Sequence, residues 1–141
     1  MSKKLATAHF SLPFLNGLIR IDATDTGQGF ALLEMNMNPL SGPETHIHVN
    51  EDEYFYVLEG TYEFRCGEEL FTCGPGDVVK VPRGEPHRLT AGPAGGRHLT
   101  MFHPAGPEGW FVEADSLAAS GALTPEAAGL LFDKYGMIRP G

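Results

Sequence analysis

Two histidines and a cluster of acids lie close together near the middle of the chain. His46 and His48 are separated by one residue, and the acids Glu51, Asp52 and Glu53 follow after two more. In a β-strand, side chains at positions i and i+2 point to the same face, with their Cα atoms roughly 6.6 Å apart. Both imidazoles can therefore reach one metal ion placed between them, and a nearby acid can supply a third ligand.

The three acids are not equivalent in their local sequence. Glu53 opens the β-rich run EYFYVLEG, whereas Glu51 and Asp52 precede it. If Glu53 points inward, Phe55 and Val57 share its face and bring an apolar wall with them. In that case we expect Glu51 and Asp52 to remain in the turn, exposed to water.

A second segment, GPGDVVKVPRGEPHRL at positions 74–89, delivers another histidine. Gly76 opens a short β-rich run, Pro82 ends it, Gly84 makes a turn, and His87 begins the next run. A histidine held after a fixed Pro-x-Gly turn is well placed to be a fourth ligand, because the rigid turn limits the entropy lost when the site assembles.

The elements around these residues have the pattern of an all-β protein. The chain has 141 residues, which favours one domain, and its 18 glycines and 11 prolines fall between short apolar runs. Spacing of this kind predicts a sandwich or a barrel. The predicted strands are GLIRIDA (17–23), FALLEMNM (30–37), ETHIHV, EYFYVLEG, TYEFRC, ELFTC, DVVKVP, HRLTA and RHLTMFH.

The two histidine segments together resemble the two sequence motifs of the cupin superfamily. The matching residues are His46, His48, Glu53 and Gly60 for the first motif, and Gly76, Pro82, Gly84 and His87 for the second. The resemblance covers residues 30–105 and, through the later PAGPEGWFVE and DKYGMIRPG, extends to small bacterial cupins described as quercetin dioxygenase-like. Leu40 and Ala91 depart from the pattern, since the motifs usually carry glycine and often asparagine there.

The resemblance implies a fold and a ligand set. The fold is a double-stranded β-helix, or jelly-roll, barrel with a short C-terminal helix, in a single cupin domain over 1–141. The barrel core is expected at about 17–112 and the helical tail at about 113–141. The implied metal ligands are His46, His48, Glu53 and His87. Such a set suits one divalent ion of Fe, Mn, Ni, Co, Cu or Zn, and the ligand types do not choose among these metals.

The tail segment TPEAAGLLFDKYG contains the residues that typically begin and end a helix. Thr124 can cap its N-terminus, Pro125 suits the first helical position, and Gly136 suits the position after its end. We expect this helix to pack on the outside of the barrel as a cap, with a lid over the barrel mouth as the alternative.

Strand alternation also predicts a cavity around the metal. The predicted pocket residues are Met35, Met37, Phe55, Met101 and His103. They would make an apolar space that tolerates aromatic ligands. We expect the remaining histidines, His9 and His98, to lie on the surface.

Three functions are compatible with these features. The resemblance implies a metal-dependent, dioxygenase-like oxidoreductase acting on an aromatic or enolic substrate, with Glu53 as a possible base. The alternative is a non-redox zinc enzyme, such as a polyketide cyclase or an isomerase, and the third is a ligand-binding module without turnover.

Charge and hydropathy predict the classes of partner. The formal net charge is −8, and no basic cluster is longer than Lys3-Lys4, so we expect neither nucleic acid nor an anionic membrane as a partner. No apolar run approaches 18 residues, and the N-terminus lacks a secretory pattern, so the cytoplasm is the expected location.

The resemblance implies a homodimer, and the apolar segment HFSLPFLNG needs cover from its own barrel or a partner's. Cys66 and Cys73 are expected to be out of register for a disulfide.

Overall fold

The structure, a computed structural model, describes residues 2–140. Within these residues the chain forms nine strands and two helices. Their order is β1 (Ala8–Leu12), β2 (Leu15–Ile21), β3 (Ala31–Met37), β4 (Ile47–His48), β5 (Asp52–Cys66), β6 (Glu69–Cys73), β7 (Val78–Val81), β8 (His87–His103), α1 (Glu108–Ala119), α2 (Pro125–Lys134) and β9 (Met137–Ile138).

Seven strands form one antiparallel sheet in the order β1-β2-β3-β8-β5-β6, with β7 paired to β5. Strands β4 and β9 form a separate pair. The 15-residue β5 and the 17-residue β8 pair along their whole length, from Asp52 opposite His103 to Cys66 opposite His87. Each of them therefore contains two of the runs predicted as separate strands. The architecture confirms the predicted all-β jelly-roll barrel.

Strand β5 bends where its register with β8 shifts, between Val57 and Glu59 and again between Gly60 and Tyr62. Gly60 has a φ of 73°, in the left-handed region that disfavours other residues. A Cβ atom at this position would lie 2.2 Å from the carbonyl oxygen of Gly95, on the facing strand. Only glycine fits here without displacing the backbone of β8.

The barrel begins earlier than the expected boundary at residue 17. Strand β1 pairs with β2, so that Phe10 lies opposite Gly17. Phe10, Leu12 and Leu15 are buried within their own barrel, and the Phe10 ring lies 4.9 Å from that of Phe111. These three side chains therefore need no partner chain to cover them, and the homodimer stays a prediction.

Cys66 and Cys73 are both buried free thiols, as predicted. Cys66 lies opposite Glu69, and Cys73 lies opposite Tyr62. The two cysteines therefore lie four pairs apart along the β5–β6 hairpin, which is too far for a disulfide.

Two helices follow the barrel, where one was predicted. Helix α2 has the predicted caps, since Thr124 Oγ1 accepts a hydrogen bond from the Ala127 N–H at 3.2 Å and Gly136 has a φ of 64°. Helix α1 was not predicted, because its weakly patterned sequence lacks a clear apolar stripe. It begins at Glu108, so the helical tail starts before the expected residue 113. No helix among the described residues is both long and apolar enough to cross a membrane.

The helices lie over the mouth of the barrel. Trp110 and Phe111 of α1 and Phe132 of α2 line the cavity that contains His46 and His48. The Phe132 ring is 6.0 Å from that of Trp110 and 6.5 Å from that of His46. The tail thus contributes to the cavity wall, which favours the alternative of a lid over that of a cap on the outside of the barrel.

Candidate metal centre

Four buried side chains converge inside the barrel. One ligand atom from each of His46, His48, Glu53 and His87 lies within 4.8 Å of all the others. Their exposed fractions are between 1% and 9%, so the group is almost closed to water. The structure thus brings together the four residues that the sequence singled out, and they form a group that could bind a metal.

Backbone hydrogen bonds join the two segments that carry these side chains. The His46 N–H donates to the His87 carbonyl at 3.1 Å, and the His87 N–H donates to the His46 carbonyl at 3.0 Å. The Gly84 N–H, in the Pro-x-Gly turn, donates to the His48 carbonyl at 2.9 Å. The turn therefore sets the position of His87 relative to both other histidines.

Two of the imidazole rings are oriented by backbone carbonyls. His46 Nδ1 lies 2.8 Å from the Glu44 carbonyl oxygen, and His87 Nδ1 lies 3.1 Å from the Glu85 carbonyl oxygen. A carbonyl oxygen can only accept, so Nδ1 carries the proton in both rings. In neutral His46 this leaves the Nε2 lone pair free for a metal, whereas His87 Nε2 lies 3.1 Å from Glu53 Oε1 and would have to give up its proton to bind one.

Glu53 supplies the negative charge of the group. Its Oε1 atom lies 3.1 Å from His87 Nε2 and 3.2 Å from His48 Nε2. Burial by itself would raise the pKa of Glu53, but the hydrogen bonds with His48 and His87 outweigh it and hold the pKa well below its usual range. The carboxylate is therefore ionised across the physiological range.

Burial and the neighbouring carboxylate shift the pKa values of His46 and His87 in opposite directions. Burial lowers the pKa of His46 to about 4, so this ring is neutral at pH 7. Burial also opposes charge on His87, but its hydrogen bond with Glu53 outweighs that effect and raises the pKa. Imidazole nitrogens and a carboxylate oxygen, held this close, match the donors that divalent transition metals take in proteins.

Glu51 is buried, which corrects the expectation that it lies in a solvated turn. Its exposed fraction is 6%, and Gly106, just before α1, covers it. Glu51 Oε1 lies 3.9 Å from His48 Nδ1, and neither atom has a hydrogen-bond partner in the described residues. Asp52 is half-buried and pairs with Arg83 at 3.2 Å. The turn looked solvated because Gly106, which covers Glu51, and Arg83, which pairs with Asp52, both lie far later in the chain.

The cavity beside the group has a volume of about 70 Å³. Met35, Met37 and Phe55 line it, as expected from strand alternation. Met101 and His103 do not, so their prediction as pocket residues was wrong. Both lie on the face of β8 that points away from Phe102, and His103 is exposed. The lid residues Trp110, Phe111 and Phe132 were missed, because no local pattern shows which part of a barrel a later helix covers.

His98 is buried, not on the surface as expected. Only 1% of it is exposed, and its Nδ1 lies 2.7 Å from the hydroxyl of Tyr62. Burial lowers the pKa of His98 to about 4, so the ring is neutral at pH 7. Its parity with Phe102 along β8 was the signal that could have placed it inside. His9 is exposed, as predicted.

Comparisons with known proteins agree with this geometry. A family model described as the cupin domain, Cupin_2, matches residues 33–102. The probable oxidoreductase virH of Hypocrea virens is 34% identical over 73 residues, which are 51% of this chain and 33% of that protein. The oxidoreductase iacF of Pestalotiopsis fici is 33% identical over 69 residues, 48% of this chain and 34% of that protein. The chain thus spans about a third of the length of these two curated relatives.

Solved structures share the same barrel. A RmlC-like cupin from Shewanella frigidimarina has a TM-score of 0.63 at 18% identity, covering 74% of this chain and 93% of that one. An ectoine synthase from P. lautus has a TM-score of 0.60 at 26% identity, covering 68% of each chain. With the matched domain, the shared barrel and the four converging side chains, the chain belongs to the cupin superfamily.

Proposed function

We propose that this protein is a metal-dependent oxidoreductase of the dioxygenase type, acting on a small aromatic or enolic molecule. The observation that carries the proposal is the placement of a buried His/Glu group in the wall of an apolar cavity. The two curated relatives, which match about half of this chain, are both named as oxidoreductases. A hydroxyl group on the substrate would reach the metal while its apolar body fills the cavity.

His46, His48, His87 and Glu53 would hold one divalent transition metal. Such an ion lowers the pKa of a hydroxyl bound to it and, if redox-active, gives access to oxygen chemistry. Glu53 is the only carboxylate among the described residues that line the cavity. It is therefore our candidate to accept the proton of the substrate hydroxyl.

The aromatic lid would keep water away from the activated substrate. Trp110, Phe111 and Phe132 line the cavity, and the Trp110 ring is in edge contact with the other two, 5.1 Å from Phe111 and 6.0 Å from Phe132. A closed apolar site strengthens electrostatic interactions within it and limits side reactions with water.

The proposal is tested by metal analysis joined to oxygen uptake. The metal-free protein is loaded in parallel with Fe(II), Mn(II), Ni(II), Cu(II) or Zn(II) and supplied with quercetin or catechol. We expect oxygen consumption matched to substrate loss with at least one redox-active metal and none with zinc. Zinc-dependent turnover in the absence of oxygen would contradict the proposal.

A second candidate is a non-redox zinc enzyme, such as a polyketide cyclase or an isomerase. Its support is the ectoine synthase neighbour, which has a higher sequence identity than the RmlC-like cupin and is named as a synthase. Turnover of an enolic ketone by the zinc form without oxygen would support this candidate. Binding of the probes with no turnover under any metal would favour a ligand-binding module.

Glu51 is expected to position His48 within this site. Two of the three histidines donate Nδ1–H to a carbonyl oxygen, whereas His48 Nδ1 faces only Glu51 Oε1, at 3.9 Å. Loss of such a partner costs about 10–100-fold in metal affinity. We expect Glu51→Ala to weaken zinc binding by this factor, measured by competition with a chelator.

The matched variants separate this effect from a general loss of charge. Glu51→Gln keeps an acceptor oxygen and is expected to retain more affinity than Glu51→Ala. Glu63→Ala removes an exposed carboxylate from the same part of the chain and is expected to change nothing. Equal zinc affinity in Glu51→Ala and the wild type would show that Glu51 does not orient His48.

A further inference from the structure

A second group of polar side chains lies in the cavity wall, apart from the four converging residues. Thr100 and His98 are two positions apart on β8, so their side chains share the inward face with Phe102. Both line the cavity, with exposed fractions of 0% and 1%. Polar groups buried this deeply are usually hydrogen-bonded.

These two side chains have unused hydrogen-bonding capacity. Thr100 Oγ1 is buried and has no partner among the described residues. His98 uses Nδ1 for its contact with Tyr62, and no described residue bonds its Nε2. A buried polar group without a partner destabilises the fold, so a ligand that bonds Thr100 Oγ1 would recover that loss.

The Tyr62 contact indicates which ring nitrogen carries the proton. The Tyr62 hydroxyl has no other hydrogen-bond acceptor among the described residues, so donation to His98 Nδ1 is the arrangement that leaves no hydroxyl proton unpaired. The proton of the neutral ring is then on Nε2, which makes this atom a donor. Together with the Thr100 hydroxyl it offers two donors, the complement of a carbonyl or phenol oxygen.

The Phe55 ring borders both polar groups of the cavity. The Phe55 ring lies 6.5 Å from the His87 ring and 5.7 Å from the His98 ring. Phe102 contacts His48, with ring centroids 5.2 Å apart, and Thr100 is the next inward residue along β8. A planar ring lying against Phe55 could therefore carry one oxygen toward the His/Glu group and another toward His98.

We propose that Thr100 and His98 form an oxygen-binding subsite, and that the substrate is a planar phenol or enol with a second oxygen acceptor across its ring. This inference rests on the proposed function, because it assumes that the first oxygen binds at the His/Glu group. It adds that the far end of the substrate is recognised by two hydrogen-bond donors. Ligands of the same shape without that acceptor bind more weakly, because they leave both donors unpaired.

The test compares two catechols in zinc-loaded protein without oxygen. 3,4-Dihydroxybenzaldehyde carries a distal carbonyl, and 4-methylcatechol replaces it with a methyl group. Binding is read from the fluorescence of Trp110, the only tryptophan in the chain, which lines the cavity. In the wild type we expect the aldehyde to bind about tenfold more tightly, in keeping with one or two net hydrogen bonds.

The two catechols also differ in acidity, but this difference is the same for every protein. Comparing the affinity ratio of each variant with that of the wild type therefore removes it. Thr100→Val removes only the unpartnered hydroxyl, and His98→Asn gives an independent second variant should either fold poorly. We expect each to reduce the ratio of the two affinities at least threefold, whereas Thr90→Val, a half-buried threonine of β8 outside the cavity lining, leaves it unchanged. An identical ratio in the wild type and both variants would overturn the subsite.

The subsite and the proposed function fail in different measurements. Binding in the zinc form needs neither turnover nor oxygen. If the protein shows the expected affinity ratio but consumes no oxygen with any metal, the subsite is supported and the oxidoreductase function is contradicted. If the protein consumes oxygen but the affinity ratio is the same in the wild type and all variants, only the subsite is contradicted.

Discussion

Replacing His87 with alanine is expected to abolish stoichiometric metal binding while leaving the barrel folded. The variant removes one imidazole from the buried group and one of the two hydrogen-bond partners of Glu53. The loss of affinity should exceed the about 10–100-fold typical when only an outer partner of a ligand is removed. The measurement is metal content after loading with Co(II) or Zn(II) and gel filtration, with circular dichroism to verify the fold.

Thermal unfolding gives a second readout of the same change. A metal present at about 1,000 times its Kd stabilises the native state by about 4 kcal/mol. We therefore expect added zinc to raise the melting temperature of the wild type and of His9→Ala, whose histidine is exposed, but not that of His87→Ala. Full zinc occupancy and an unchanged zinc-induced shift in His87→Ala would refute the proposed ligand set.

Gly60→Ala is expected to destabilise the protein by about 3 kcal/mol or more. A left-handed backbone conformation costs a residue with a Cβ atom about 1–2 kcal/mol. The added methyl group would also lie 2.2 Å from the Gly95 carbonyl oxygen, which is backbone and can move only by disturbing the β5–β8 pairing. Both costs act where β5 bends, so the damage reaches the strands that carry Glu53 and His87. Urea unfolding of the metal-free protein measures the effect.

Gly129 provides the matched control for this substitution. It lies within α2, and an added Cβ atom would meet nothing within 4 Å. Gly129→Ala is expected to stabilise the protein by up to about 1 kcal/mol, because alanine is the better helix former. If the free energies of unfolding of Gly60→Ala and the wild type agreed within 1 kcal/mol, the conformation assigned to Gly60 would be wrong.

The site also shows why an apolar cavity and a charged group can lie side by side. Glu53 is the negative end of a cluster whose three imidazoles lie within 5.4 Å of one another by ring centroid. A carboxylate buried this deeply would be costly alone, and its hydrogen bonds with two imidazoles offset that cost. A divalent metal bound among these four side chains would offset the cost of burying the Glu53 carboxylate more fully than the imidazoles do.

Local sequence, together with the resemblance to the two cupin motifs, was sufficient to predict the four converging residues. His46 and His48 share a face because strand side chains alternate, and the Pro-x-Gly turn before His87 is a short-range feature that depends on its own residues. The helix caps at Thr124 and Gly136 were predictable for the same reason. Each of these features depends on residues only a few positions apart, so it can be inferred without knowing the fold.

The lid, the burial of Glu51 and the inward position of His98 were decided by tertiary structure. Glu51 is covered by Gly106, and His98 contacts Tyr62 at a separation of 36 residues. Trp110 and Phe132 meet the barrel only because α1 and α2 fold back over its mouth. The residue types and their spacing were enough to identify the side chains that could bind a metal. The fold decided which polar groups lose contact with water, because burial depends on packing between segments that are far apart in the chain.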